Sequence, residues 1–379
     1  MAGIYLHIPF CKQACFYCDF HFSTNHQVKG EMVKALIEEL HLQHEYLGGE
    51  EISSIYLGGG TPSLLTTKEL SDLLDTIHKL HSVNQAAEIT LEANPDDLKK
   101  STLENYRTTG VNRLSIGIQS FQDDLLGFLN RAHDSSLAMS SFQLARDAGF
   151  QNVSIDLIYA IPGLENSRWA SDINQAISLA PEHISCYSLT IEEKTAFGRW
   201  AAAGKLKPAE EEISAQHLEL LIDKLEAEGY EHYEISNFSK PGFHSQHNSS
   251  YWKQEKYLGI GPSAHSYNRI TRQNNVRNNH LYLKAINNGT VPSEVEILSS
   301  ENKINEYILT TLRTNWGTDL AKLKADFGYN LRENNSAYIQ QLLTEGLATL
   351  QQQALTLTRK GKLLADKIAS DLFVLKHDH

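Results

Sequence analysis

Short β-rich runs alternate with amphipathic helical stretches through the first two thirds of the chain, and this alternation constrains the fold more than any other feature. The runs IYLHI (4–8), ISSIYL (52–57), EITLEA (88–93), RLSIGI (113–118), NVSIDLI (152–158) and HISCYSL (183–189) have the length and residue types of strands. Between them, residues 31–47, 67–81, 136–148 and 167–179 carry apolar side chains three and four apart, the spacing of a helix with one buried face. A further helix is expected over 209–228, with Gly229 placed to end it. Strands joined by crossover helices predict an α/β fold with a parallel sheet. Six such units fall short of the eight that close a TIM barrel, so the expectation is a partial (β/α)6 TIM-type barrel, left open.

After Tyr230 the texture changes to Asn, Ser, His and Gly in stretches such as PGFHSQHNSSYW and LGIGPSAHSY. From residue 302 helical patterns resume, and GLATLQQQALTLTRKGKLLADKI reads as helix, short hairpin, helix. The expected division is therefore a barrel over 1–235, a bridging segment over 236–300 and a mostly helical, winged-helix-like unit over 301–379. With 379 residues and 41% hydrophobic content, the chain can bury one large core and one smaller core. No internal repeat is evident.

Charge narrows the partners. Against 46 acidic side chains stand 34 basic ones, a net charge of −12 that repels a phosphate backbone, so nucleic acid is not expected even beside a winged-helix pattern. No apolar run approaches the roughly 20 residues that cross a bilayer, which leaves peripheral contact as the only membrane role considered. The start MAGIYLHIPFC has neither a basic region nor a small-residue cleavage site. Three of the 4 cysteines sit too close together for a disulfide framework, and a reducing cytoplasm is the expected location.

Those three are Cys11, Cys15 and Cys18, in a C-x3-C-x2-C loop directly after the first predicted strand. Three thiolates on three irons of a [4Fe–4S] cluster leave the fourth iron open for an exchangeable ligand. A structural zinc site is the competing reading, but zinc takes four ligands, and no further Cys/His pair at finger spacing follows. Cys186, inside an apolar strand, is expected to be a buried packing residue. A second signature, GGGTPS at 58–63, follows the second strand, where glycines free backbone N–H groups and let a ligand approach.

The cysteine spacing, with the aromatic Tyr17 before the last thiol, resembles the radical SAM superfamily. The stretches YLHIPFC, YLGGGTPS, LEANPDDL, RLSIGIQSF, NRAH, DLIYAIPG and YSLTIEEKT are similar to the group that holds the oxygen-independent coproporphyrinogen III oxidase and its paralogue, the heme chaperone HemW. That resemblance implies S-adenosylmethionine (SAM) as a cofactor, contacted by Tyr5, Gly59, Gly60, Thr61 and Glu92. It also implies that Gln119, Arg131 and Asp156 stand where the oxidase holds a second SAM or its surroundings. For Glu92 and Asp156 the bland alternative is an ordinary strand-end carboxylate, and for Arg131 a solvated helix residue.

Within this group three features lean towards the chaperone. The oxidase has an extension ahead of its cluster loop, whereas Cys11 here lies near the start. The oxidase has a fourth cysteine two residues after the third, and Phe20 stands at that position. Finally, HNSSYW matches an H-N-x-x-Y-W motif associated with heme handling, carried by His247, Asn248, Tyr251 and Trp252, with His244 and His265 nearby. Histidine is a standard axial ligand of heme iron, and Tyr and Trp offer flat apolar faces. The competing reading of the motif is a hydrogen-bonded loop histidine and a tryptophan that anchors two domains together.

The function expected from the resemblance is a chaperone that binds heme and passes it to an acceptor protein such as a respiratory cytochrome, as a monomer or a cluster-dependent dimer. The alternative is oxidative decarboxylation of coproporphyrinogen III to protoporphyrinogen IX. No residue is assigned a catalytic role.

Overall fold

The computed structural model describes residues 1–374, so positions 375–379 of the expected C-terminal unit lie outside the described residues. Strand β1 (Ala2–Ile8) is buried on both faces except at a half-buried Tyr5, as an apolar run without a polar face requires. It pairs in parallel with β2 (Ile52–Gly59), and β3 (Val83–Ala93), β4 (Arg113–Gln119), β5 (Val153–Tyr159) and β6 (His183–Ser188) each lie parallel to the strand before. Sheet order equals chain order through these strands, which is the expected partial barrel. Every carboxyl end therefore faces one rim, where a ligand site belongs.

The crossovers carry α1 (Lys29–Leu42), α2 (Thr67–Leu80), α3 (Lys100–Thr108), α4 (Asp123–Phe128), α5 (Ser135–Asp147) and α6 (Asn166–Leu179), followed after β6 by α7 (Ala196–Ala202) and α8 (Glu211–Ala227). Helix α2 shows how the pattern becomes structure. Thr66 and Glu69 form a reciprocal capping box at its start, and Leu70, Leu73, Leu74 and Ile77 bury one face. Such a cap contributes about 1 kcal/mol. Helix α1 ends at Leu42 rather than at the expected 47, because Gln43 turns back onto Glu39 and Gly48 and Gly49 adopt left-handed backbone. Helices α3 and α4 are too short to show a periodic face; α3 buries only Leu103 and Tyr106.

The segment with loop-like texture contributes the outer strands of the sheet and two short helices. Strands β7 (Glu231–His232) and β8 (Asn237–Ser239) extend the sheet beyond β6. After α9 (Gln246–Trp252), β9 (Lys256–Ile260) returns to the opposite edge and pairs in parallel with β1. Strands β10 (His265–Tyr267), β11 (Thr271–Asn275) and β12 (Ser293–Ile297) continue outward in antiparallel order, with α10 (Asn279–Asn287) between the last two. Polar composition hid β11, whose buried side chains are Gln273 and Asn275. Leu258, Ile260, Tyr282 and Ile286 join the same core as the barrel strands.

A second core lies in the C-terminal unit around Ile308, Leu312, Leu323, Leu342 and Leu355. There α11 (Ser300–Leu312) leads to the short strand β13 (Thr318–Asp319), helices at Leu320–Phe327, Leu331–Asn334 and Ser336–Thr344, and the hairpin of β14 (Ala348–Gln351) and β15 (Ala354–Leu357). This is a winged-helix arrangement, with the hairpin at its expected place. It meets the barrel where Asn315 N–H donates to the Tyr233 carbonyl at 2.9 Å and Arg359 pairs with Asp223 and Glu226. Among the described residues no helix is long and apolar enough to cross a membrane.

Candidate functional site

A cavity of about 930 Å³ opens at the carboxyl ends of the barrel strands. Tyr5, Cys11, Cys15, Cys18, Gly59, Gly60, Thr61, Glu92, Gln119, Arg131 and Asp156 all line it, as do Asn248 and Tyr251 of the HNSSYW motif. His247 and Trp252 do not.

The cysteine loop is tied to the barrel along its length. Lys12 pairs with Asp96 at 2.8 Å and also with Asp97, at the end of β3. Asn130 donates to the Ala14 carbonyl at 2.7 Å, and Phe16 N–H donates to the Leu129 carbonyl at 3.2 Å. All three thiols are free and half-buried, and burial pushes Cys11 up to about 11 and Cys18 up to about 12. Thiols so placed ionise only when a cation compensates the lost hydration.

A hydrogen-bonded chain links the thiols. Thr61 Oγ1 donates to Cys11 Sγ at 3.4 Å, Asn94 Nδ2 donates to Thr61 Oγ1 at 3.1 Å, and Arg131 Nη2 donates to Asn94 Oδ1 at 2.6 Å. Arg131 closes the chain through Nη1 to Cys15 Sγ at 3.3 Å and anchors on the Gly117 carbonyl at 2.8 Å. Its buried Nε has no partner among the described residues. Three thiols, two of them already receiving donors, with a guanidinium beside them, form a donor set suited to an anionic iron–sulfur cluster.

The glycine triplet works mainly through packing. A Cβ on Gly60 would stand 2.6 Å from the Phe10 carbonyl oxygen and 2.8 Å from that of Ile8, and one on Gly59, at φ +104°, would strike the His7 ring. The missing side chains thus let the end of β2 lie directly on the start of the cysteine loop. Gly59 N–H and Tyr56 Oη, the latter at 2.8 Å, both donate to Glu92. Burial, with Asp156 nearby, raises Glu92 to about 7. An ammonium group entering beside it would restore its charge, which suits the amino end of a methionine moiety. Asp156 accepts from Ser115 Oγ at 3.1 Å, and burial raises it as well. Gln119 sits at a register slip at the end of β4, in left-handed backbone at φ 69°, a conformation that costs a non-glycine residue about 1 kcal/mol.

The HNSSYW motif forms α9. Ser245 caps the helix, and the buried Glu88 accepts from Gln246 N–H at 3.1 Å and His247 N–H at 3.3 Å. His247 lies 1% exposed, behind the cavity wall. Its Nδ1 bonds Ser54 Oγ and its Nε2 bonds Tyr251 Oη, both at 2.9 Å, and burial pushes its pKa down to about 3. Both ring nitrogens are therefore engaged, and the ring holds Tyr251 at the cavity edge. Trp252 faces the C-terminal unit, where the Arg313 guanidinium sits 5.7 Å from its ring centroid. His244 stacks on Tyr233 at 4.2 Å, away from the cavity. Sequence reasoning missed Asn94, Tyr56, Arg113, Ser115 and Arg277 in the lining. Tyr56, Asn94, Arg113 and Ser115 stood inside the quoted motifs YLGGGTPS, LEANPDDL and RLSIGIQSF, whereas Arg277 carried no local signal.

The chain matches the model of the radical SAM superfamily over residues 5–176 and that of the HemN C-terminal domain over residues 298–364. It is 36% identical to the heme chaperone HemW of Bacillus subtilis (strain 168), covering 97% of this chain and 98% of that protein. The HemW of Lactococcus lactis subsp. lactis (strain IL1403) is 35% identical, covering 96% of this chain and 95% of its own. Among solved structures, the coproporphyrinogen III oxidase HemN from Escherichia coli, a radical SAM enzyme, superposes with a TM-score of 0.84 at 22% identity, covering 98% of this chain and 90% of that one. This last likeness speaks to the fold alone.

Proposed function

The chain belongs to the HemW family of the radical SAM superfamily, and from that premise we propose that it is a cytoplasmic heme chaperone that binds heme and passes it to an acceptor protein of the respiratory chain. The observation that carries the reading is relatedness to heme chaperones from end to end, through barrel, bridging strands and winged-helix unit alike. In this proposal Cys11, Cys15 and Cys18 hold a [4Fe–4S] cluster. Tyr5, Gly59, Gly60, Thr61 and Glu92 hold SAM, and Gln119, Arg131 and Asp156 border it. When bound, the cluster offers an open iron to SAM and a source of one electron.

The chain's own residues perform recognisable tasks around these groups. Thr61 and Arg131 direct hydrogen bonds at two of the thiols, which favours their anionic form. Glu92 presents a carboxyl poised near neutrality to a cationic ligand end. Tyr5, whose hydroxyl is 3.1 Å from His7 Nδ1, closes the wall beside it.

Phe20 supports the chaperone branch over the oxidase branch. At the position where the oxidase supplies another cysteine, this chain puts an aromatic ring that is 73% exposed at the cavity mouth, an apolar surface left open to a ligand. Two assays on anaerobically reconstituted protein test the reading. Uptake of one hemin per chain, with no conversion of coproporphyrinogen III, is expected. Formation of protoporphyrinogen IX would replace the chaperone reading with the oxidase.

A further inference from the structure

His265, at the start of β10, is the one histidine lining the cavity whose imidazole has no hydrogen-bond partner among the described residues. His7 is engaged at both ring nitrogens, through Tyr5 Oη at 3.1 Å and the His21 carbonyl at 2.8 Å. His21 is held through Nε2 by Asn279 Oδ1 at 2.7 Å. His265 is exposed and leaves both nitrogens open.

The loop that presents it is built rigidly. Gly261, at φ +108°, lies so close to β1 that a Cβ would meet the His7 carbonyl at 2.6 Å. Its N–H donates to the buried Glu39 carboxyl at 2.7 Å, and its carbonyl accepts from Asn275 Nδ2 at 2.9 Å. The same Glu39 accepts from Tyr282 Oη at 2.5 Å, Asn275 Nδ2 at 2.6 Å and Gln43 Nε2 at 2.8 Å. Ser263, in the cavity wall, is held in left-handed backbone at φ 66°. A strained residue and a buried carboxyl thus fix the backbone leading to the strand that carries this free imidazole of the cavity lining.

The surroundings fit a flat apolar macrocycle with two carboxylates. Phe20 and Tyr257 offer aromatic faces in the same lining. Arg277, also in the lining, uses only Nη2, on the Asp19 carbonyl and carboxylate, and keeps its other donors open. An open guanidinium recognises a carboxylate through paired hydrogen bonds.

We infer that His265 is the side chain that would ligate heme iron, with Phe20 and Tyr257 supplying apolar contacts to the macrocycle and Arg277 pairing with a propionate, while His247 only positions Tyr251. The assignment rests on the heme-chaperone reading and deepens it.

The test is hemin titration of cluster-loaded, full-length protein followed by EPR and magnetic circular dichroism, which separate heme from cluster signals. His265→Ala is expected to lose the histidine-ligated heme signature and at least tenfold in hemin affinity, with cluster absorbance unchanged, and added imidazole is expected to restore the signature. His247→Phe, which keeps a ring in the same space, is expected to retain it. Arg277→Gln is expected to weaken hemin but not hemin dimethyl ester. A wild-type signature at wild-type affinity in His265→Ala overturns this assignment alone. Failure of the unaltered protein to take up hemin overturns the chaperone reading with it.

Discussion

Replacing Glu39 by glutamine should change how stability depends on pH, and the size of the change follows from the carboxyl's burial. Glu39 is 0% exposed, sits beneath the 261–265 loop and receives Gly261 N–H, Tyr282 Oη, Asn275 Nδ2 and Gln43 Nε2. Burial raises it from 4.5 to about 7, against the opposing pull of those donors. Between these two values the folded chain holds a proton that the unfolded chain has released, so stability falls as pH rises through the interval. At about 1.4 kcal/mol per pKa unit, the loss from this one group amounts to roughly 3 kcal/mol. The amide of the Glu39→Gln variant cannot titrate, and its nitrogen would face converging donors at every pH, a constant cost. The stability difference, wild type minus Glu39→Gln, should therefore shrink by up to roughly 3 kcal/mol between about pH 5 and pH 8. Urea unfolding of both proteins under anaerobic conditions, followed by circular dichroism across that range, measures it. A difference that stays flat, or that grows with pH, would refute the reasoning.

Three further outcomes are expected around the cavity. Gly60→Ala forces a Cβ against two backbone carbonyls and should cost about 2 kcal/mol or more, along with the cluster chromophore; a melting temperature and absorbance equal to wild type would contradict the packing role. Cys11→Ser, Cys15→Ser and Cys18→Ser should each abolish the brown absorbance while Cys186→Ser, buried at 1% exposure on β6, keeps it; loss only in the Cys186 variant would overturn the ligand set. Asn94→Ala leaves Arg131 Nη2 with the Gly117 carbonyl alone and removes the donor to Thr61, a loss of roughly 1.5–3 kcal/mol for a bond to a charged group. Cluster release to a chelator should accelerate accordingly, and an unchanged half-life would count against the hydrogen-bonded chain.

What was legible in the chain alone was whatever depends on local pattern. Six largely apolar runs separated by helical periodicity sufficed for the partial barrel, because parallel strands buried on both faces read as near-continuous apolar stretches even where single polar residues such as Arg113 and Ser115 are buried within them. Three cysteines in one loop marked a candidate thiol site for the same reason: the three side chains are neighbours in sequence. The edge strands were not legible, because β11 buries Gln273 and Asn275 in hydrogen bonds rather than apolar side chains on one face.

Tertiary structure alone decided the fate of the histidines. Nothing in HNSSYW tells that Ser54, from a strand far earlier in the chain, occupies one nitrogen of His247 while Tyr251 occupies the other. Likewise, nothing in GPSAHSY tells that His265 is left open over a cavity whose lining also carries the cysteines. A sequence specifies which side chains are able to ligate; whether a nitrogen is free depends on partners brought from distant strands, and those are set only when the sheet has formed.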